Sequence, residues 1–281
     1  MIRSAAERRR LLLRRNGVNR QKQAFEKLYS KSDLQRWWFH DSKDPLIRYL
    51  RDRRLRIAVR QLLRLTNTRP DDWNVLVVCG GVGGEGTFLA NAGFKSVTVS
   101  DFSEQALELC RKRDPRLQTQ LLNAESLDVD DEAYDLVLVQ DGLHHLTRPA
   151  LGLTEMLRVA KRAVILIEPH TGIVARLLGT VWEEDEQEIN YVFRWNKLLL
   201  KQVVSSYVLT RASCIKAIRL WDHNLILRNV AGALGGKRLA SVCVKSIYAI
   251  LNTFFWWMGN MMIGIVIKST CEEAGVLPPK E

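Results

Sequence analysis

Three short segments of this 281-residue chain combine residue types that can hold a ribose-bearing ligand and move a proton. The first is Cys79-Gly80-Gly81-Val82-Gly83-Gly84-Glu85-Gly86. Glycines let a backbone turn tightly and approach a ligand without a Cβ clash. Gly81, Gly83 and Gly86 also fit the GxGxxG spacing of dinucleotide-binding turns, in which a helix start carries a pyrophosphate. The second is Asp101, about 20 residues further on, whose carboxylate can accept from both hydroxyls of a ribose. Asp101 or Ser103 equally suits the N-cap of a helix. The third is the pair His144-His145 together with Glu168. Histidine is the side chain best matched to proton transfer near neutral pH.

These residues need a scaffold, and the hydrophobic pattern supplies one. Val75 to Val78 is a short apolar run ending in glycines, which reads as a strand buried on both faces. A helix over Glu85 to Ala92, a strand over Ser96 to Ser100 and a helix over Ser103 to Lys112 follow. Then come strands Leu117 to Leu122 and Tyr134 to Gln140, a helix Pro149 to Ala160 and a strand Ala163 to Ile167. Strands alternating with helices predict an α/β fold with a doubly wound parallel sheet. In such sheets ligands sit at the carboxyl ends of the strands, where the glycine loop, Asp101, His144, His145 and Glu168 all fall.

Upstream, residues 1–70 read as a basic helical arm or lid. Pro45 permits a helix start, and Leu46, Ile47, Leu50, Leu55, Ala58, Val59, Leu62 and Leu63 continue it at helical spacing. Trp37 and Trp38 belong to an aromatic cluster that suits a pocket wall or ordinary core. Downstream of the core at 71–170, residues 171–271 read as cap helices and the last two strands. These are a helix from Asn196 to Val208, a strand from Ser213 to Leu220, a helix from Lys237 to Trp257 and a strand from Met261 to Ile267. Residues 272–281 form a tail.

Beyond single motifs, an ordered set recurs. The glycine loop and Asp101 are followed by Asn123-Ala124-Glu125, Tyr134-Asp135-Leu136-Val137, Leu143-His144-His145-Leu146 and Glu155-Met156-Leu157-Arg158-Val159. In this order, from about Asn74 to Pro169, the chain resembles the class I S-adenosylmethionine (SAM)-dependent methyltransferases, especially the group acting on quinones, sugars and natural products. The resemblance implies a Rossmann-like seven-stranded sheet with an antiparallel last strand, and SAM as cofactor. It implies that Gly81 and Gly83 pack against the methionine end, that Asp101 holds the ribose, and that Asn123 and Ala124 flank the adenine. Cys79, Gly80, Phe102, Glu125 and Gln140 join the cofactor-binding set. In similar sugar and natural-product O-methyltransferases a histidine and an acid act together after the fourth and fifth strands. By that likeness His144 or His145 is the general base and Glu168 orients it. The acceptor pocket falls to Trp37, Trp38, His170, Tyr191 and Arg194. Arg194 suits a bidentate clamp on a phosphate or carboxylate, or a pair with the acidic run Glu183 to Glu186. Two departures stand out: the family usually has an acid at the position of Val77 and a glycine at that of Cys79. The job of the missing acid then falls to Glu85 or Asp141, or the chain is a binding subunit without activity.

Composition narrows the partners. The net charge is +11 and the apolar fraction 47%, with arginines concentrated in the first 64 residues. Such a chain favours anionic partners, and peripheral contact with an anionic membrane is expected. Five separated cysteines without metal-ligand spacing predict reduced thiols, no metal and a cytoplasmic setting. Met1 to Asn16 is too charged for a signal peptide. Ser246 to Ile267 carries no charge over a length that could span a bilayer, yet Asn252, Gly259, Asn260 and Gly264 interrupt it, which favours a helix followed by a strand. No Asn/Asp-Pro-Pro-aromatic segment follows the fourth strand, which argues against nucleic acid as acceptor. The ordered downstream motifs argue against NAD. The expected acceptor is the hydroxyl of a sugar, glycolipid or secondary metabolite, with a quinone or prenyl-linked lipid as the alternative.

Overall fold

The computed structural model describes residues 45–173, 176, 192–207, 212–222 and 237–269. The basic arm before residue 45, Trp37, Trp38, the acidic run at 183–186, Tyr191 and the tail lie outside these residues.

Seven strands form one sheet: β1 (Asn74–Val78), β2 (Ser96–Asp101), β3 (Gln118–Leu121), β4 (Tyr134–Gln140), β5 (Ala160–Pro169), β6 (Ala212–Leu220) and β7 (Met261–Lys268). Their spatial order is β3-β2-β1-β4-β5-β7-β6. The first five are parallel, and β7 inserts antiparallel between β5 and β6. The parallel part is what the strand–helix alternation predicts, and the antiparallel β7 completes the Rossmann-like sheet that the resemblance implies.

Alternation along the central strands sorts two cores. Val75, Val77, Leu136, Leu138, Ile165, Ile167, Ile263 and Ile265 point to one face. There they meet Leu55, Ala58 and Leu62 of helix α1 (Pro45–Thr66), Leu89 of α2 (Gly84–Asn91), and Leu107 and Cys110 of α3 (Glu104–Arg113). Leu76, Val78, Val137, Val139, Val164, Leu166, Met262 and Val266 point to the other. They pack on Leu153, Met156 and Leu157 of α4 (Pro149–Val159), on Leu200 and Val204 of α5 (Lys197–Ser206), and on Trp195. A strand covered on both faces must be apolar at every position, which is why the runs at 75–78 and 163–167 lack polar alternation.

Differences from the sequence reading are confined to element ends. β5 runs from Ala160 to Pro169 rather than Ala163 to Ile167, because Ala160 pairs with Tyr134 of β4 at its start and β7 pairs with it through Pro169↔Met261 at its end. Lys268 then donates its ammonium to the Ala160 carbonyl at 2.6 Å and so anchors the start. Helix α6 (Lys237–Phe254) ends three residues before the expected Trp257, and a 3₁₀ turn at Trp256–Met258 leads through Gly259 into β7. No helix among the described residues is long and apolar enough to cross a membrane.

Candidate active site

The glycine loop leaves β1 through two left-handed residues, Cys79 (φ 54°) and Gly81 (φ 50°), and enters α2 through a third, Gly83 (φ 81°). Gly83 must be glycine for a second reason: a Cβ there would lie 2.4 Å from Cys110 Sγ. Cys79 stands where the related enzymes usually have glycine, and its positive φ shows why; a side chain is strained in this conformation. Space for it comes from Gly142, whose own Cβ would sit 2.6 Å from the Cys79 Cβ. Burial pushes the Cys79 thiol pKa well up, with Asp101, Glu168 and Glu125 adding to the effect.

Asp101 ends β2 and is 5% exposed. One carboxylate oxygen accepts from the Gly81 amide at 2.9 Å and the other from the Ser103 amide at 3.0 Å. The acid thus fixes the glycine loop and the following turn at once, while Ser103 serves as the N-cap of α3 through the Ala106 amide. A carboxylate has about four acceptor directions, so holding two amides is compatible with receiving ribose hydroxyls. Phe102 follows, half-buried.

After β3, Asn123 closes a tight turn by accepting from the Glu125 amide at 3.0 Å, and Ala124 is buried within it. Glu125 has a different job from its neighbours. Its carboxylate accepts from Thr147 Oγ1 at 2.6 Å, from the Arg148 amide at 2.7 Å and from Arg148 Nε at 2.8 Å. It therefore ties the β3 turn to the start of α4. Gln140, at the end of β4, donates to Glu85 Oε1 at 3.1 Å beneath the glycine loop.

The loop after β4 is held from below by Glu168, which is fully buried. Its Oε1 accepts from the amides of Gly142 (2.9 Å) and Leu143 (2.8 Å). Its Oε2 accepts from the His144 amide (3.3 Å) and pairs with His144 Nδ1 at 2.7 Å. A carboxylate has no proton to offer, so Nδ1 carries the hydrogen and the ring's lone pair sits on Nε2. The His145 ring lies 4.0 Å from that of His144, centroid to centroid.

The sequence did not single out a buried ion cluster beside this loop. Asp141 follows β4 with φ 51° and accepts from Arg54 Nη1 at 2.5 Å. The same guanidinium donates through Nε to Asp222, whose side chain is fully buried. Desolvation disfavours the buried cation, yet the two acids outweigh it and hold Arg54 charged. Asp222 is in turn gripped by Asn260, which accepts from its amide and donates to its carbonyl, both at 2.8 Å. These partners lie 87 and 168 residues apart, and no local pattern marks them. Of the expected acceptor residues, His170 is buried at the end of β5 and Arg194 is half-buried just before Trp195, whose amide donates to the Pro169 carbonyl at 2.8 Å. Val77 is sealed in the core, so no acid stands at that point of β1.

The donor set fits SAM on the chain's own geometry: a glycine loop with left-handed residues at 79, 81 and 83, a buried acid one strand over, and an Asn-Ala turn beyond it. Comparison with known proteins agrees. Residues 76–167 match the family model described as "Methyltransferase domain". Over 108 residues the chain is 35% identical to a demethylmenaquinone methyltransferase of Clavibacter sepedonicus, covering 36% of this chain and 44% of that protein. A namesake from Renibacterium salmoninarum is 34% identical over 87 residues, 31% of this chain and 36% of that one. The chain thus spans less than half the length of these curated relatives. Among solved structures, the magnesium protoporphyrin IX methyltransferase of Synechocystis PCC 6803 with bound SAH superposes with a TM-score of 0.55. It shares 13% identity over 89% of this chain and 100% of that one, a likeness of fold. Residues 76–167 thus match a methyltransferase domain in sequence, and most of the chain shares its fold with a solved methyltransferase.

Proposed function

We propose that this protein transfers the methyl group of SAM to the hydroxyl of a small molecule, such as a sugar, glycolipid or secondary metabolite, with His144 as general base. SAM supplies an electrophilic methyl on a sulfonium, so the chain's part is to hold, align and deprotonate. Gly81 and Gly83 bring backbone against the methionine end. Asp101 takes the ribose, and Asn123 and Ala124 wall the adenine. With Val77 unable to serve the methionine ammonium, Asp141 and Glu85 are the acids next to the loop that take over; Arg54 tempers Asp141 and fixes its direction. His144 receives the acceptor's proton on Nε2, and Glu168 stabilises the resulting imidazolium through Nδ1. The observation that carries this reading is the 2.7 Å His144–Glu168 pair on a loop clamped by the same carboxylate. The test is acceptor-dependent release of S-adenosylhomocysteine (SAH), with calorimetry against SAM and SAH. A folded sample giving neither heat nor a shift in melting temperature with either cofactor would end the proposal.

A second reading has its own support. Phe254, Phe255, Trp256 and Trp257 are 43–69% exposed at the end of α6, and Leu239, Val242 and Ile250 are exposed along it. Contiguous exposed apolar side chains of this kind mark binding to a membrane or another apolar surface. Together with relatives named demethylmenaquinone methyltransferase, they favour a quinone-type lipid acceptor met at a membrane surface. Deprotonation of a ring hydroxyl by His144 serves that acceptor equally. Co-sedimentation with anionic liposomes, lost when Phe254 and Trp257 become serine, is its expected signature; no binding by the parent chain removes it.

A further inference from the structure

Beyond β5 lies a cavity of about 470 Å³, in the range of small-molecule pockets. Its wall carries His170, Arg176, Lys197, Lys201 and Arg219, and none of its described lining residues is acidic. It also takes in Asn196 and Lys197, the N-cap and first residue of the ten-residue helix α5, where the helix dipole adds partial positive charge.

The second, independent observation is His170. It is 2% exposed, and neither ring nitrogen reaches a well-formed hydrogen bond. Buried polar atoms are almost always paired, so a ring left this way on a cavity wall calls for a ligand. Desolvation, then Arg219 and Arg176, depress the His170 pKa to about 4, with the Gly259 backbone opposing weakly. The ring thus stands neutral beside two guanidinium groups. His170 is positioned rather than loose: its amide donates to the Asn260 carbonyl at 2.7 Å and it bridges to Trp195. It lies two residues beyond Glu168, about 7 Å along the chain, so a group held here is within a small molecule's length of the proposed base.

We propose that this cavity binds a phosphate group, through the two α5 lysines, Arg176, Arg219 and His170. Lysine and arginine donate charge-assisted hydrogen bonds to phosphate oxygens, and the neutral His170 ring can donate another. The phosphate is brought by a phosphorylated small molecule or by a lipid headgroup. As a phosphate site the cavity stands whether or not His144 is the base; only its use in acceptor recognition rests on the methyltransferase reading.

The full-length protein, titrated with inorganic phosphate at constant ionic strength, should show saturable binding with movement of the His170 ring resonances. Lys197→Gln/Lys201→Gln, on an exposed helix surface, should weaken that binding at least about tenfold while leaving SAH affinity unchanged. Glycerol 3-phosphate and vesicles of phosphatidic acid separate the two sources: competition by the first alone assigns a soluble phosphomonoester, and phosphate-competed vesicle binding assigns a headgroup. Absence of saturable phosphate binding in a sample that still binds SAH overturns the site. So does equal weakening by Lys112→Gln, a charge removed elsewhere on the surface. Loss of SAH binding with phosphate binding intact would instead count against the cofactor reading.

Discussion

Glu168→Gln tests the proposed chemistry because glutamine keeps the shape and changes only which atoms accept. Oε1 of Glu168 serves two backbone amides, and Oε2 serves the His144 amide and Nδ1. The variant has one acceptor oxygen, so its NH₂ must face one of these two pairs of donors. Facing Gly142 and Leu143, it would strand two buried amides at about 1–3 kcal/mol each. Facing His144, it strands only the long 3.3 Å amide contact, because the ring can shift its proton from Nδ1 to Nε2 and accept at Nδ1. The second arrangement is cheaper, and it removes the lone pair from the nitrogen assigned as base. The expected outcome is a folded protein, less stable by about 2 kcal/mol, with SAH affinity unchanged and turnover reduced about 10²–10⁴-fold, the range of general base catalysis. Urea unfolding, SAH calorimetry and SAH release at saturating SAM measure the three quantities. Turnover within about threefold of the parent would refute the orienting role. Should the variant fail to fold, His144→Gln leaves the amide clamp intact and must show the same loss of turnover. His145→Ala, which leaves the His144–Glu168 pair in place, should change turnover only slightly.

Three further outcomes are expected. Arg54→Met strands Asp141 and Asp222 without their cation and should destabilise by about 3–5 kcal/mol in thermal or urea unfolding; a loss under about 1 kcal/mol would show that the ion cluster is not a structural tie. The Cys79 thiol, with its pKa raised by burial and nearby acids, should resist alkylation in the native state at neutral pH, and Cys79→Gly should relieve the left-handed strain and leave stability within about 1 kcal/mol. Without phosphate, His170 is depressed from 6.5 to about 4 in the folded chain, so the unfolded chain takes up its proton first as pH falls. Stability from this group is full above about 6.5 and is lost on the way down, with about 2 kcal/mol gone by pH 5 and about 3 by pH 4. His170→Phe should therefore gain about 2 kcal/mol on the parent between pH 7 and pH 5, and parallel urea curves would contradict the shift.

What the sequence made legible follows the range of the interactions involved. The parallel strands β1, β4 and β5 could be read because burial on both faces leaves an apolar run with glycine or acid at its end, and such runs are local. Asp101 and the turn at Asn123 could be placed because each sits at a strand end and bonds within a few residues or to the neighbouring strand's loop. The helix start at Pro45 was marked by proline and period, and the interruption at Gly259-Asn260 correctly divided an apolar stretch into helix and strand. By contrast, Arg54 looked like one more surface arginine, although it is buried between Asp141 and Asp222. Its partners come from the far side of the chain, and charge counts carry no information about which cation is buried. Glu125 shows the same limit in reverse: its place in the turn suggested the cofactor, while Thr147 and Arg148 claim its carboxylate. His170 is the instructive intermediate. Its position after β5 was legible, but the field around it depends on Arg176, Lys197, Lys201 and Arg219 converging from three separate segments. Residues contributed by strand ends can thus be assigned from local pattern, whereas electrostatic sites assembled across the cap depend on which cations the fold brings together, and only the folded structure shows that.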